Sequence, residues 1–106
     1  MTSRIISAGA YFHKKYPGSL IFYRLGNSYV AFQEDAERAA KILQMVITPT
    51  REGISSLSIV RSQFLDTMEL ITMCGIMFRC ITYRNDDGVF AIPDVKRLQE
   101  EEEMDY

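Results

Sequence analysis

Two short runs of β-branched and aromatic residues stand close together near the start of the chain. Leu20–Leu25 and Ser28–Phe32 each have the length and composition of a strand, and only Gly26 and Asn27 separate them. Because glycine and asparagine both tolerate a positive φ, a two-residue Gly-Asn turn is typical of a β-hairpin. The pattern therefore predicts an antiparallel pair of strands at residues 20–32.

The spacing of apolar residues changes to a helical period directly after this hairpin. Ala36, Ala39, Ala40 and Leu43 recur three and four positions apart, which places them on one face of a helix. Acidic residues crowd the start of this segment and a lysine lies near its end, the arrangement that the helix dipole favours. The small side chains on the apolar face indicate close packing against the sheet.

The rest of the chain alternates between strand-like and helix-like segments. A helix before the hairpin should end at Tyr16, because a residue that precedes proline is pushed out of the helical region. Ser62 is a candidate N-cap for a helix through Met73, with Gly75 as its stop. The other predicted segments are a short helix at 10–15, strands at 46–48, 57–60, 77–83 and 89–92, and a polar helix at 94–103. This order predicts an α+β fold with a mixed β-sheet and about three to four helices.

Length and composition fit a single soluble domain. The chain has 106 residues, of which 47% are hydrophobic and 25% charged, so there is room for one core. No stretch approaches the roughly 18 consecutive apolar residues that a membrane span needs. The N-terminus also lacks an apolar run long enough for a signal peptide. We therefore expect a cytoplasmic protein with no membrane contact.

Charge is distributed unevenly along the chain. Residues 100–106 contain five acidic residues and no basic one, so residues 1–99 carry a net charge of +3. We expect the folded domain to span residues 1–99 and the acidic tail, 100–106, to be disordered, since such a run is more often a solvated end than a docking motif. A mildly basic body is compatible with a polyanionic partner, although +3 is also an ordinary value for a domain of this size.

Few residues offer catalytic or metal-binding chemistry. We expect Cys74 and Cys80 to be reduced, buried thiols that behave as small apolar groups, with a disulfide or a shared metal as the alternative. Together with the single His13 they do not make a standard four-ligand zinc site. Asp86 and Asp87 fall in an Asn-Asp-Asp-Gly turn, where turn geometry selects these residue types. No nucleophile, base and orienting group can be proposed together, so we predict no metal, no cofactor and no enzymatic activity.

One stretch of the sequence carries a distinctive order of motifs. Residues 16–32 read Tyr-Pro-Gly-Ser-Leu-Ile-Phe-Tyr-Arg-Leu-Gly-Asn-Ser-Tyr-Val-Ala-Phe, followed by Glu-Asp-Ala at 34–36 and an alanine pair at 39–40. In order and spacing this resembles the first domain of the MutS mismatch-repair proteins, with its Tyr/His-Pro, Tyr/Phe-Arg-Met-Gly-Asp, Phe-Tyr-Glu-Leu-Phe and Asp-Asp-Ala segments. More loosely, the resemblance covers residues 11–84. It implies a mixed α/β domain that contacts DNA from the minor-groove side.

The sequence departs from this family at the two positions that read a mismatch. In the family a phenylalanine wedges beside the mispaired base and a glutamate two positions later hydrogen-bonds to it; residues i and i+2 of a strand point the same way. An apolar wedge helps to kink a duplex that a mispair has already weakened. Here Ser28 and Val30 occupy those positions. Serine cannot stack on a base, and valine cannot accept a hydrogen bond. Strand alternation turns Tyr29 to the opposite face, so it does not replace them. We therefore expect no discrimination of mismatches.

Two uses of such a domain stay open. The first is a stand-alone nucleic-acid-binding accessory module that makes weak contacts to DNA phosphates, which position a protein without specifying sequence. Its candidate contacts are Ser28, Val30, Arg51, Arg24, Lys14 and Lys15. Arg51 is favoured because it lies in a polar, flexible loop, although each cation could also be a solvated surface charge. The second use is a protein-interaction or structural module that has lost DNA binding, with another protein of a DNA-processing system as its partner. No Gly-rich phosphate loop is present, so the ATPase of MutS proteins is not expected.

Overall fold

A mixed five-stranded sheet lies at the centre of the protein, with helices on both of its faces. The computed structural model describes residues 2–103. In chain order its elements are α1 Thr2–Lys15, β1 Leu20–Leu25, β2 Ser28–Phe32, α2 Gln33–Leu43, β3 Thr48–Pro49, β4 Ser55–Val60, α3 Arg61–Met73, β5 Phe78–Ile81 and α4 Val95–Glu103. The strand order is β3-β4-β2-β1-β5, with β1 and β5 parallel and the other neighbours antiparallel. The predicted α+β fold with a mixed sheet is confirmed.

The hairpin of β1 and β2 has the predicted bounds and occupies the centre of the sheet. Leu25 pairs with Ser28 at its closed end. Gly26 forms the turn with φ 58, a conformation that costs little in a residue without a Cβ. The outer edge of β1 pairs with β5 and the outer edge of β2 with β4. The hairpin turn therefore projects from one end of the sheet.

Two apolar clusters bury the two faces of this sheet. Because successive strand residues point to opposite sides, β1 sends Phe22 to one cluster and Tyr23 to the other. The helices α2 and α3 cover the Phe22 side, where Ala36 and Ala39 are fully buried, as their small size and helical spacing predicted. The helices α1 and α4 cover the Tyr23 side.

The first helix is longer than the sequence pattern indicated. It begins at Thr2, not at residue 10. Ile5, Ala8 and Phe12 lie at helical spacing and are buried against the Tyr23 side of the sheet, with exposed fractions of 2%, 0% and 6%. Burial of this apolar face stabilises turns that the local sequence, rich in serine and glycine, favours only weakly.

The predicted cap of α3 is wrong. The helix begins at Arg61, Val60 takes the N-cap position in an extended conformation, and no side chain caps it. The Arg61 N–H instead donates to the Asn27 carbonyl oxygen of the hairpin turn at 3.0 Å. A tertiary contact thus satisfies one of the free N–H groups that every helix start exposes. At the other end, Gly75 follows the helix with φ 75, which agrees with its predicted role as the stop.

Four predicted strands differ from the structure. The segment at 57–60 begins earlier, as β4 Ser55–Val60. The segments at 46–48 and 77–83 correspond to the shorter strands β3 and β5. The segment at 89–92 forms no strand, only an isolated bridge between Arg84 and Phe90. The cause is the Asn85 side chain, which accepts hydrogen bonds from the backbone N–H groups of Asp87 and Val89 at 3.0 Å each. The Val89 N–H is therefore used in the turn and not in a strand ladder.

The helix α4 carries the chain across the predicted boundary between body and acidic tail. Residues 100–103 continue the predicted helix at 94–103, so the limit drawn at residue 99 falls within one helix. Val95 and Leu98 pack on the cluster beneath α1 and attach α4 to the domain. The remainder of the predicted tail, 104–106, lies outside the described residues. None of the helices within residues 2–103 is long and apolar enough to cross a membrane.

The two cysteines are unpaired and differ in their exposure to solvent. Cys74 follows the last residue of α3 and Cys80 lies within β5, as the sequence pattern predicted. The prediction that both are buried is wrong for Cys74, which is exposed because the chain leaves α3 on its outer surface. Burial raises the pKa of the half-buried Cys80 thiol to about 11. Cys80 therefore stays a neutral thiol at physiological pH.

A buried carboxyl group links the ends of α1 and α2. Asp35 is 4% exposed, and its Oδ2 lies 2.7 Å from Nε2 of His13, whose Nδ1 lies 2.6 Å from the Gly9 carbonyl oxygen. Burial raises the pKa of Asp35, and the nearby His13 and a backbone hydrogen bond with Ile21 oppose this increase. The buried hydroxyl of Tyr23 has no hydrogen-bond partner among the described residues.

We expect Asp35→Asn to change how stability depends on pH. A carboxyl group whose pKa is raised by folding stabilises the fold fully below its ordinary pKa of about 3.9, and this stabilisation is lost as the pH rises through the raised value. Asparagine does not titrate, so the unfolding free energy of Asp35→Asn minus that of wild type should increase as the pH rises above about 4. Urea denaturation of both proteins from acidic to neutral pH measures this difference. A difference that is constant with pH would contradict the raised pKa.

Candidate nucleic-acid interface

Ser28 and Val30 lie at the start of β2, on the face of the sheet that α1 covers. Both side chains are half-buried. Ser28 stands between Leu25 of β1 and Val60 of β4, and Val30 packs on the Tyr23-side cluster. Tyr29 points the other way and stacks on the Phe64 ring, with 3.8 Å between ring centroids. The predicted alternation of these three side chains is therefore confirmed.

A cleft of about 450 Å³ opens beside Val30. Leu25, Val30 and Phe32 contribute apolar side chains to its lining, and Arg51 and Ser58 contribute polar ones. Arg51 is thus brought close to Val30 by the fold, although the two are far apart in sequence. The cleft is lined mainly by apolar side chains, and its charged residues are the neighbouring Arg51 and Glu52.

The loop that carries Arg51 contains a hydrogen-bonded turn. The Gly53 N–H donates to the Thr50 carbonyl oxygen at 3.0 Å, and the Ile54 N–H donates to Thr50 Oγ1 at 3.2 Å. Gly53 has φ 80, a backbone conformation that glycine adopts readily. This turn holds Arg51 at its exposed tip beside the cleft.

Arg24 lies on the opposite face of the hairpin and does not join this group. Its Nε donates to the Gly26 carbonyl oxygen at 2.9 Å, and an Nη group donates to the Tyr29 hydroxyl at 3.5 Å. Its Cζ lies 4.4 Å from the centroid of the Phe90 ring. Arg24 therefore lies near the hairpin turn, as Ser28 does, but its side chain faces away from the Val30 cleft.

Lys14 and Lys15 lie at the C-terminal end of α1, next to the acidic helix α4. Lys15 Nζ is 3.6 Å from Oε1 of Glu102, and the Tyr11 hydroxyl donates to the same carboxylate. The charge of Lys15 is therefore partly compensated within the protein. Of the six candidate residues, Val30 and Arg51 line one cleft, and Ser28 lies two positions before Val30 on the same face of β2.

Sequence reasoning missed two further cations at the hairpin end of the sheet. Arg61 lies at the start of α3, where its N–H bonds the turn residue Asn27. Arg84 follows β5, whose Ile81 stands opposite Tyr23 of β1, so the chain has reached the level of the hairpin turn. Neither residue sits in a motif that would mark it, because their position depends on strand pairing.

Other kinds of site have little support in the described part of the chain. Within residues 2–103, no three histidine, cysteine, aspartate or glutamate side chains converge on a point where they could hold a metal ion. The most acidic turn, at Asp86 and Asp87, is instead tied to α4 by an ion pair of 2.8 Å between Asp86 and Arg97. The cations at the hairpin end of the sheet are therefore better candidates for ligand binding than these acidic groups.

Comparison with known proteins identifies a related family. The family model described as MutS domain I matches residues 10–77. The DNA mismatch repair protein MutS of Cytophaga hutchinsonii is 43% identical over 42 residues, which are 40% of this chain. The protein of the same name from Dehalococcoides mccartyi is 45% identical over 40 residues, which are 38% of this chain. The matched part covers only 5% of each of these relatives.

Proposed function

Because the chain belongs to the MutS domain I family, we propose that it is a DNA-binding module that contacts the duplex backbone without discriminating mismatched from matched pairs. The observation that carries this proposal is the position of Ser28 and Val30. They stand at the closed end of the hairpin, half-exposed on one face, where the family resemblance expects an aromatic wedge and a carboxylate. The scaffold is kept and the side chains that read a mispair are absent.

The chemistry of these two side chains supports indifference to mismatches. Serine has no ring to insert between base steps, so it cannot stabilise the kink that an apolar wedge promotes. Val30 is apolar and packs on the cluster beneath it, so it offers no acceptor to a base. Arg51 at the border of the same cleft supplies a charge that suits any phosphate. Binding through such contacts is independent of sequence.

The outer surface of α3 favours a second candidate function, docking of another protein of a DNA-processing system. Leu65, Leu70 and Met73 of this helix, and Met77 just beyond it, are 82%, 54%, 76% and 63% exposed. Large apolar side chains that share a surface are a common feature of protein interfaces. A chain that binds none of the duplexes tested below would favour this alternative.

We expect equal and weak affinity for matched and mismatched DNA. A fluorescence-anisotropy titration of labelled 20-base-pair duplexes, one matched and one with a G·T pair, should give dissociation constants of about 1–100 µM that agree within about twofold. Arg51→Gln should weaken binding to both duplexes equally and make the slope of log K against log salt shallower by about 0.9.

The matched control for this experiment is Lys41→Gln. Lys41 is an exposed cation on α2, on the other side of the sheet, so its loss changes the net charge by the same amount without altering the cleft. Its affinity should stay near that of wild type. A wild-type preference of tenfold, about 1.4 kcal/mol, for the mismatch would overturn the proposal.

A further inference from the structure

Two guanidinium groups lie against one aromatic ring at the hairpin end of the sheet. The Cζ of Arg24 is 4.4 Å and the Cζ of Arg84 is 4.1 Å from the centroid of the Phe90 ring. Each contact is a cation–π interaction, which is favourable by itself. Their combination places two positive charges next to each other on the surface.

Strand pairing produces this arrangement from two distant parts of the sequence. Arg24 lies near the end of β1, and β5 runs parallel beside it, so the chain beyond β5 reaches the same level at Arg84. The turn at Asn85 then reverses the chain, and Phe90 forms an antiparallel bridge with Arg84. Backbone geometry thus places the Phe90 ring against both arginines.

Backbone contacts hold both arginines while leaving part of each guanidinium free. Arg24 uses Nε to bond the Gly26 carbonyl oxygen at 2.9 Å, and Arg84 uses one Nη to bond the Gly88 carbonyl oxygen at 3.1 Å. A guanidinium group carries five N–H donors, so donors remain on each side chain for a ligand. Prior ordering of the side chains reduces the entropy that binding would cost.

No acidic side chain among residues 3–102 forms a salt bridge with Arg24 or Arg84. The nearby Asp86 is instead held by Arg97 at 2.8 Å. Two like charges held close together repel each other, and a bound anion would reverse that effect. Arg61 at the start of α3, bonded to the same hairpin turn, adds a third cation at this end of the sheet.

We infer that Arg24, Phe90 and Arg84 form a phosphate clamp that holds a phosphodiester group of the bound nucleic acid. This inference rests on the proposed function and names a part of the interface on the other side of the hairpin from the Val30 cleft. Planar guanidinium groups match the oxygens of a phosphate in pairs, which a lysine cannot do. The backbone of one strand then passes the closed end of the hairpin at the clamp, whereas Arg51 lies towards the other end of β2, where Phe32 pairs with Ser56.

The variant Arg84→Gln tests the clamp, with Arg79→Gln as its matched control. Arg79 is also an exposed arginine stacked on a ring, at 4.6 Å from Tyr16, but it lies beside the end of α1, where Glu102 of the acidic helix α4 opposes phosphate binding in the wild-type protein. In the duplex titration, Arg84→Gln should weaken binding about tenfold and make the salt slope shallower by about 0.9, whereas Arg79→Gln should change neither. Equal losses in the two variants would overturn the clamp, because they would reflect net charge alone.

Inorganic phosphate separates this inference from the proposed function. Titration of the wild-type protein with phosphate, followed by NMR of the arginine Nε–H groups, should shift the signals of Arg24 and Arg84 and leave that of Arg79 unchanged. Phe90→Leu keeps an apolar side chain but removes the ring, so it should weaken these shifts while the protein stays folded. Shifts without duplex binding would keep the phosphate site and reject the DNA function. Duplex binding with no shift at Arg24 or Arg84 would reject the clamp and leave the proposed function intact.

Discussion

Replacing Phe22 with alanine should lower the free energy of unfolding by about 3–5 kcal/mol. Phe22 lies in the interior strand β1, is 0% exposed, and meets Phe64 of α3 edge to face with 6.0 Å between ring centroids. Its removal leaves a cavity between the sheet and α3 that the surrounding side chains fill only in part. Since domains of this size are stable by only about 5–15 kcal/mol, this one change removes a large share of the total.

Urea denaturation followed by circular dichroism measures this loss. The matched control is Leu65→Ala on α3, since Leu65 is also a large apolar residue but is 82% exposed. That variant should unfold within about 0.5 kcal/mol of wild type. A loss below about 1 kcal/mol for Phe22→Ala would show that this ring does not form the centre of the core.

Neutralising the acidic helix should raise the affinity for DNA about tenfold at low salt, equivalent to about 1.4 kcal/mol. The variant combines Glu100→Gln, Glu101→Gln and Glu102→Gln. The loss of Glu102, which pairs with Lys15 at 3.6 Å, frees a cation at the end of α1. The loss of Glu101 removes its ion pair with Arg97 at 3.7 Å, and the change at Glu100 removes nearby repulsion. The salt dependence should steepen, because one more phosphate contact releases one more counterion. Glutamine favours helix about as well as glutamate, so α4 should persist.

A second triple variant separates this local effect from net charge. Glu34→Gln, Glu37→Gln and Glu69→Gln remove the same number of negative charges from exposed positions on α2 and α3. Their effect on affinity should be smaller, and it should fade first as salt is added, because distant surface charges are screened within about 10 Å at 0.1 M salt. Equal gains in the two variants would mean that Glu102 does not mask Lys15.

The elements that the sequence predicted well depend on interactions between near neighbours. The hairpin has its predicted bounds because a Gly-Asn turn restricts the backbone within two residues. The helix α2 follows from the spacing of its alanines and from the acidic residues at its start. The resemblance to MutS domain I could also be found in the sequence, because the order of motifs at residues 16–40 is contiguous and is matched by the family model.

The elements that were predicted poorly depend on contacts between distant residues. The first turns of α1 form because Ile5 and Ala8 are buried against the sheet, which no local signal reveals. The helix α3 starts at Arg61 and not at a serine cap because the hairpin turn supplies the acceptor for its N–H. Tertiary burial and pairing outweigh local preference in these cases.

Some features of the candidate interface are likewise determined by the sequence alone, and others only by the fold. The identity of Ser28 and Val30, and hence the absence of a wedge and an acceptor, can be determined from the chain alone, because the face of a strand residue follows from alternation. Which cations lie close together cannot be determined from the sequence, because it depends on distances between residues that are far apart in the chain. Arg24, Arg84 and Phe90 meet through the pairing of β1 with β5, and Lys15 is compensated by Glu102 through the packing of α1 on α4. Pairing across the sheet and packing across its surface determine these distances, and the distances determine which charges are free to bind a phosphate.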